Sequence, residues 1–126
     1  MAGNYAADIL PNTLAKKKGF PIALYLDAKT NSYVEEFSTS NFLGIDSQGK
    51  YVTPKSEAIL ASITNKSLMQ IAADEGTRQL GHSCMLIELL VGLEVEMRPI
   101  HIDEVASFQE VAACGTAVGK IFDYSI

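Results

Sequence analysis

The sequence predicts one mixed α/β domain of the α+β kind, mostly antiparallel strands with packed helices. Three observations predict it. The 126 residues are 48% apolar and 20% charged, enough for one unit with a real core and too apolar for disorder. Short apolar or alternating runs, bounded by Gly, Pro, Asn, Asp and Ser, recur along the chain as strands do. Two stretches carry helical spacing, yet helices and strands do not alternate in the regular order of a parallel sheet.

Asn4 can cap a first helix whose apolar positions Tyr5, Ile9 and Leu14 share a face. Pro11 must kink or restart that helix, because it lacks a backbone donor, and Gly19 stops it. Between Phe20 and Ala28 the unbroken apolar run Ile22 to Leu26 reads as a buried strand. Lys29 to Ser32 supply turn chemistry before a second strand, Tyr33 to Phe37. Asn41 to Ile45 is a third strand, Asp46 to Gly49 its hairpin turn, and Lys50 to Thr53 the returning strand, which Pro54 ends. The four make an antiparallel meander. Thr64 begins a second helix with Leu68, Ile71 and Ala72 on one face, and Gly76 would cap it. Alternation of Leu93, Val95 and Met97 with Glu94, Glu96 and Arg98 predicts a half-buried strand over Leu93 to Ile102. Asp103-Glu104 suit a helix start, with Val105 to Phe108 as a short turn of helix. Glu110 to Cys114 is a final buried strand leading into Gly115-Thr116-Ala117.

Composition removes several function classes. With 10 basic against 15 acidic residues the net charge is −5, and the only basic run, Lys16 to Lys18, sits at a helix C-terminus where cations complement the dipole. No nucleic-acid surface is expected. Cys84 and Cys114 are far apart and lack CxxC or His spacing, so neither a zinc site nor a disulfide framework is expected, and free thiols in a reducing compartment fit best. The longest apolar run, Met85 to Val91, is broken by Glu88 and is far too short to span a membrane. A soluble intracellular chain without a targeting segment is the expectation.

A few residues stand out chemically. Adjacent carboxylates in a regular strand point to opposite faces, so only one of Glu35 and Glu36 is expected to face inward, where it would need a cationic or hydrogen-bonding partner. Ser62-Ile63-Thr64 precede a helix, where free N–H groups and the positive dipole end can hold a dianionic phosphate. The commoner role of such a Thr is to cap its own helix. Gly115-Thr116 is a second, weaker anion candidate after a buried strand. Tyr5 offers a phenol, although a tyrosine in a first helical turn more often packs in the core. His82 and His101 are not spaced as a ligand pair, and Asp103 and Glu104 suit the start of a helix.

Taken in order, Gly3-Asn4-Tyr5, the strand Leu24 to Ala28, the run Glu35-Glu36-Phe37-Ser38-Thr39-Ser40-Asn41, Thr53-Pro54, Ser62 to Ser67 and Ala112 to Ala117 resemble the larger, cofactor-binding domain of branched-chain amino-acid aminotransferases. These are fold-type IV enzymes that use pyridoxal 5′-phosphate, with a D-amino-acid-aminotransferase-like large domain. The resemblance implies that Glu36 contacts the pyridine nitrogen, Tyr5 the ring hydroxyl, Ile63, Thr64 and Thr116 the phosphate, and that Ala117 lies near the substrate carboxylate. It implies amino-acid and 2-oxo-acid substrates, with amino-group transfer between leucine, isoleucine or valine and 2-oxoglutarate, and a homodimer when complete. A sibling activity, as in D-amino-acid aminotransferases or aminodeoxychorismate lyases, stays open, as does a non-catalytic association domain.

The chain also departs from the family pattern. The family's Schiff-base lysine would fall just before Met1, so residues 1–126 are expected to be a partial large domain, inactive alone, with the small N-terminal domain and the C-terminal remainder absent. Residues 76–92 read as an atypical insertion, and residues 119–126 replace the expected continuation.

Overall fold

The structure, a computed structural model, describes residues 6–74 and 93–116 and the backbone of residues 119–122. The expected positions Asn4, Tyr5, Gly76, Cys84, residues 76–92 and Ala117 lie outside the described residues.

The first helix, α1, spans Ile9–Lys17 and starts later than the expected Asn4. Pro11 lies in its first turn, where a missing N–H removes no intrahelical bond, so the proline restarts the helix rather than kinking it. Gly19, at φ +89°, leads the chain out of it. Strands follow at Leu24–Leu26 (β1), Val34–Phe37 (β2), Ser40–Ile45 (β3) and Tyr51–Pro54 (β4). They pair antiparallel in sequence order, as the meander reading expects. Two aspartates build the turns. Asp27 accepts the N–H groups of Thr30 (2.6 Å), Ser32 (2.9 Å) and Tyr33 (2.8 Å), and Asp46 those of Gln48 (2.8 Å) and Lys50 (2.9 Å).

After β4 the chain crosses through helix α2, Ile63–Asp74, to strand β5, Val95–Arg98, which pairs parallel to β4. The expected strand over Leu93 to Ile102 is therefore shorter than its alternation suggested, because the chain leaves the β4 edge at Pro99 and Ile100 carries its carbonyl to Val34 N at 2.8 Å. Met97 is 48% exposed, contrary to the expected inward side, while the alternate side chains pair across the strand edge. Lys50 bonds Glu96 (2.7 Å) and Glu94 (3.2 Å), and Arg98 bonds Glu96 (3.1 Å) and Glu104. A short helix α3, Ile102–Val105, begins one residue before the expected Asp103, with the His101 imidazole facing its Asp103 N–H, and it does not extend to Phe108. Strand β6, Glu110–Cys114, runs antiparallel to β3 along Asn41 to Ile45, and β7, Gly119–Phe122, pairs with β6.

One edge of β3 is thus filled by β6, and its other edge is shared: β2 takes Ser40 and Asn41, β4 takes Gly44 and Ile45. The two faces of this forked sheet carry separate cores. Phe42, Val52, Val111 and Ala113 pack with Val34, Phe37 and Ile100 on one side. Leu43, Ile45, Tyr51, Ala112 and Cys114 pack with Ala72, Leu68 and Met69 of α2 on the other. Period-two alternation along β3 and β6 produces this division.

Gly44 is needed for packing rather than for a turn. A Cβ there would lie 2.3 and 2.5 Å from two ring atoms of Phe108. Gly44→Ala should destabilise the fold by about 1–3 kcal/mol in urea denaturation, through overpacking. In the background of Phe108→Leu the same substitution should cost clearly less, as coupled neighbours do.

The bonds to Asp27 hold its carboxyl well below the ordinary value of 3.8, the Tyr33 and Ser32 amides contributing most. A depressed folded-state pKa adds stability that is present above the unfolded value and is lost as pH falls below it. Asp27→Asn should therefore flatten the acid limb of the stability curve below about pH 4 while lowering stability at pH 7, as followed by urea midpoints across pH.

Candidate functional site

The pairing of β1 with β2 contains the first local irregularity that matters. Leu24 faces Phe37 and Leu26 faces Val34, so β2 carries one residue more than β1 over the same span. This is a β-bulge, and it resets the pleat. Val34 and Phe37 both enter the same core, and Glu35 and Glu36 both emerge toward the other side, against the 55–62 segment. The expectation that adjacent carboxylates take opposite faces is corrected by this extra residue.

Register then locates Glu36. It pairs with Asn41, and Asn41 pairs with Cys114, which packs beneath α2 with Tyr51 and Ala72. Cross-strand partners share a face, so Glu36 stands on the α2 side of the sheet. Its carboxylate is half-buried, accepts from Asn41 Nδ2 at 3.4 Å, and has no cationic partner among the described residues. Burial pushes its pKa above the usual carboxylate value, with the Leu60 amide opposing and the Glu35 charge adding to the rise. Glu35 accepts from Ser56 Oγ at 3.0 Å.

The start of α2 faces the same side. Ser62, not the expected Thr64, caps the helix, its Oγ accepting the Asn65 N–H at 3.1 Å. A serine immediately before the first helical residue is the signal for this cap. The cap leaves the N–H groups of Ile63 and Thr64 and the Thr64 hydroxyl without acceptors or donors among the described residues. Ile63 is 82% exposed and Thr64 half-exposed. Thr116 lies just beyond β6, two residues on from Cys114, and is exposed. A Cβ added at Gly115 would meet Ser40 only at ordinary contact distance. Glu36, Ile63, Thr64 and Thr116 therefore belong to elements that meet on the α2 side, whereas Tyr5 and Ala117 lie outside the described residues.

A buried polar chain that sequence reasoning missed ties these elements together. Tyr51 Oη donates to Asn65 Oδ1, Asn65 Nδ2 donates to Thr53 Oγ1 (3.0 Å), and Thr53 Oγ1 donates to the Phe42 carbonyl (3.0 Å). Phe42 lies where β2 and β4 part company along β3, so the Thr53 side chain satisfies a carbonyl that neither strand reaches. Burial raises the Tyr51 phenol far above its normal range and pushes the Cys114 thiol up to about 11, keeping both neutral.

This donor set fits a phosphorylated, protonated heterocycle: an open helix N-terminus for a dianion, and on the same side a carboxylate with no cationic partner among the described residues for a ring N–H⁺. Residues 2–122 match the amino-transferase class IV family, and the chain belongs to it. It is 40% identical over 122 residues to the branched-chain-amino-acid aminotransferase of Haemophilus influenzae, covering 93% of this chain and 31% of that protein. To a protein of Emericella nidulans named aminotransferase atnJ it is 39% identical over 124 residues, covering 93% of this chain and 31% of that one. Among solved structures it resembles the branched-chain aminotransferase of Thermobaculum terrenum in its PLP form, with TM-score 0.75 and 27% identity over 95% of this chain and 34% of that one. The fold is that of the fold-type IV aminotransferases, and the chain spans about a third of the length of these relatives. No described helix is long and apolar enough to cross a membrane.

Two outcomes test this geometry. A carboxyl whose folded-state pKa is raised costs stability as pH rises through the unfolded and then the folded value. Glu36→Gln should therefore leave the cofactor-free chain at least as stable at pH 7 and remove the loss that sets in as pH rises above the ordinary value of 4.5; a purely structural glutamate would show the reverse. Asn65→Leu should destabilise by about 2–3 kcal/mol in thermal or urea unfolding, because it strands the Tyr51 hydroxyl and takes away the donor to Thr53 Oγ1.

Proposed function

We propose that residues 1–126 are part of the cofactor-binding large domain of a transaminase that moves an amino group between a branched-chain amino acid (leucine, isoleucine or valine) and 2-oxoglutarate. Within that domain, residues 76–92 form an insertion. The observation that carries this reading is the bulged, half-buried Glu36 carboxylate without a cation among the described residues, on the same side of the sheet as the open N-terminus of α2. Pyridoxal 5′-phosphate, when bound, supplies an electron-accepting pyridinium ring.

Each residue then has a defined task. Glu36 holds the proton at the pyridine nitrogen, and the desolvation that raises its own pKa is relieved by the ion pair so formed. The Ile63 and Thr64 N–H groups and the Thr64 hydroxyl donate to the phosphate, where the helix dipole adds to the attraction. Thr116 donates to the same group from the end of β6, Tyr5 orients the ring through its hydroxyl, and Ala117 borders the substrate carboxylate. None of these residues moves the substrate's proton; the family resemblance gives that task to a lysine upstream of Gly3. Complete subunits are proposed to pair as a homodimer, as the same resemblance implies.

The test is a transaminase assay of leucine with 2-oxoglutarate, using the protein carried upstream to the length of its relatives, with D-alanine as the competing amino donor. Activity with leucine is expected, Glu36→Gln should lower kcat by about 10²–10³-fold, and Thr64→Ala should mainly weaken cofactor affinity. Activity with D-alanine alone would shift the reading to a sibling enzyme, and no activity with either would favour a non-catalytic domain.

A further inference from the structure

The two ends of the candidate site stand on different elements. Glu36 belongs to β2, and the open N–H groups belong to the first turn of α2. A rigid ligand that bridges them requires a fixed spacing; Asn65 ties the first turn of α2 to Thr53 of β4, and the 55–62 segment is the piece that links it to the β2–β3 hairpin. Packing holds that segment only through the half-buried Ile59. Lys55, Ser56 and Leu60 are exposed, and a cavity of about 220 Å³ lies beneath it, walled by Phe42, Thr53, Asn65, Met69 and Met97.

What else holds it is polar: the Lys55 N–H donates to the Arg98 carbonyl at 3.1 Å where the segment leaves β4, the Leu60 amide faces Glu36, and two side-chain bonds join it to β2 and β3. Asn41 Nδ2 donates to the Leu60 carbonyl at 2.9 Å, and Ser56 Oγ donates to Glu35 Oε1 at 3.0 Å. Both acceptor and donor partners come from the β2–β3 hairpin, the element that carries Glu36. The second contact exists only because the bulge turns Glu35 to the same side as Glu36; a regular strand would send it to the opposite face.

We propose that Glu35 is a positioning residue that acts through Ser56 to hold the 55–62 segment, and with it the first turn of α2, at a fixed distance from Glu36. This rests on the transaminase reading only for what the spacing serves. The bulge is then a spacing device: one extra residue supplies both the carboxylate that faces the ring and the one that pins the strap. With open space below the strap, loss of the pin lets it sink toward the cavity and changes the separation of the two anchoring ends.

Hydrogen–deuterium exchange across residues 57–62 of the cofactor-free chain tests the pin, and a fluorescence titration with pyridoxal 5′-phosphate tests its purpose. Glu35→Ala and the exposed Ser56→Ala should each speed exchange about threefold to tenfold, and the double variant should be no faster than either. Glu35→Gln keeps an acceptor for Ser56 and should restore near-native exchange. In the titration, Glu35→Ala and Ser56→Ala should weaken binding about threefold to tenfold, with Glu35→Gln close to the parent. Unchanged exchange in Ser56→Ala, or exchange in Glu35→Gln as fast as in Glu35→Ala, would overturn the pin. Faster exchange with unaltered affinity would overturn its positioning role. If the parent chain binds no pyridoxal 5′-phosphate, the cofactor reading falls while the exchange data still decide whether Glu35 holds the strap.

Discussion

The rest of the structure depends on how the fork in the sheet is closed. Strand β3 is claimed along one edge by β6, but its other edge is divided between β2 and β4, and a carbonyl at the point of division has no strand to receive it. An unpaired buried carbonyl is costly, and Thr53 resolves the difficulty with its side chain. Thr53 is itself held by Asn65, and Asn65 by Tyr51 and Ser62. A single chain of bonds therefore fastens the N-terminus of α2 to the point where two strands diverge. Satisfied buried networks of this kind are rigid because any displacement strands several groups at once.

That fastening explains why the candidate site lies where it does. Divergence of β2 from β4 opens the space over which the 55–62 segment passes, and the cap at Ser62 aims the helix N-terminus back over the sheet. The bulge in β2 works on the same opening from the other side, turning two carboxylates toward it. A half-buried acid with a raised pKa and no cation among the described residues is an unfavourable feature, in contrast to the half-buried Lys50, Glu96, Arg98 and Glu104, which pair with one another. Such local cost is the expected mark of a position kept for binding.

Most of the fold was legible in the residues. The hairpin between β3 and β4 was readable from Asp46 to Gly49 because turn chemistry is local, and β6 at Glu110–Cys114 because an unbroken apolar run between turns has few alternatives, although it is followed by β7 and is not the final strand. The errors fell where an element's extent depends on its neighbours. Leu93 to Ile102 alternated well enough for one long strand, yet only Val95–Arg98 has β4 to pair with before Pro99 turns the chain back toward β2. Likewise the expected first helix began too early, since nothing in the spacing of Tyr5, Ile9 and Leu14 reveals that Pro11 occupies a first turn.

For the site, sequence alone determined the chemistry on offer: paired acids, a Ser-Ile-Thr helix start, a Gly-Thr after a strand, and an order of motifs that belongs to the class IV amino-transferase family. Residue types and their order are written in the chain, and so is the kind of group they can hold. Tertiary structure decided which of those groups face one another. Whether Glu35 joins Glu36 or opposes it turns on one extra residue in β2, and a bulge is a property of two strands in register, not of either strand's own pattern. Asn65 and Thr53 could not be singled out for the same reason: their value lies in a carbonyl at Phe42 that only the diverging sheet leaves unpaired.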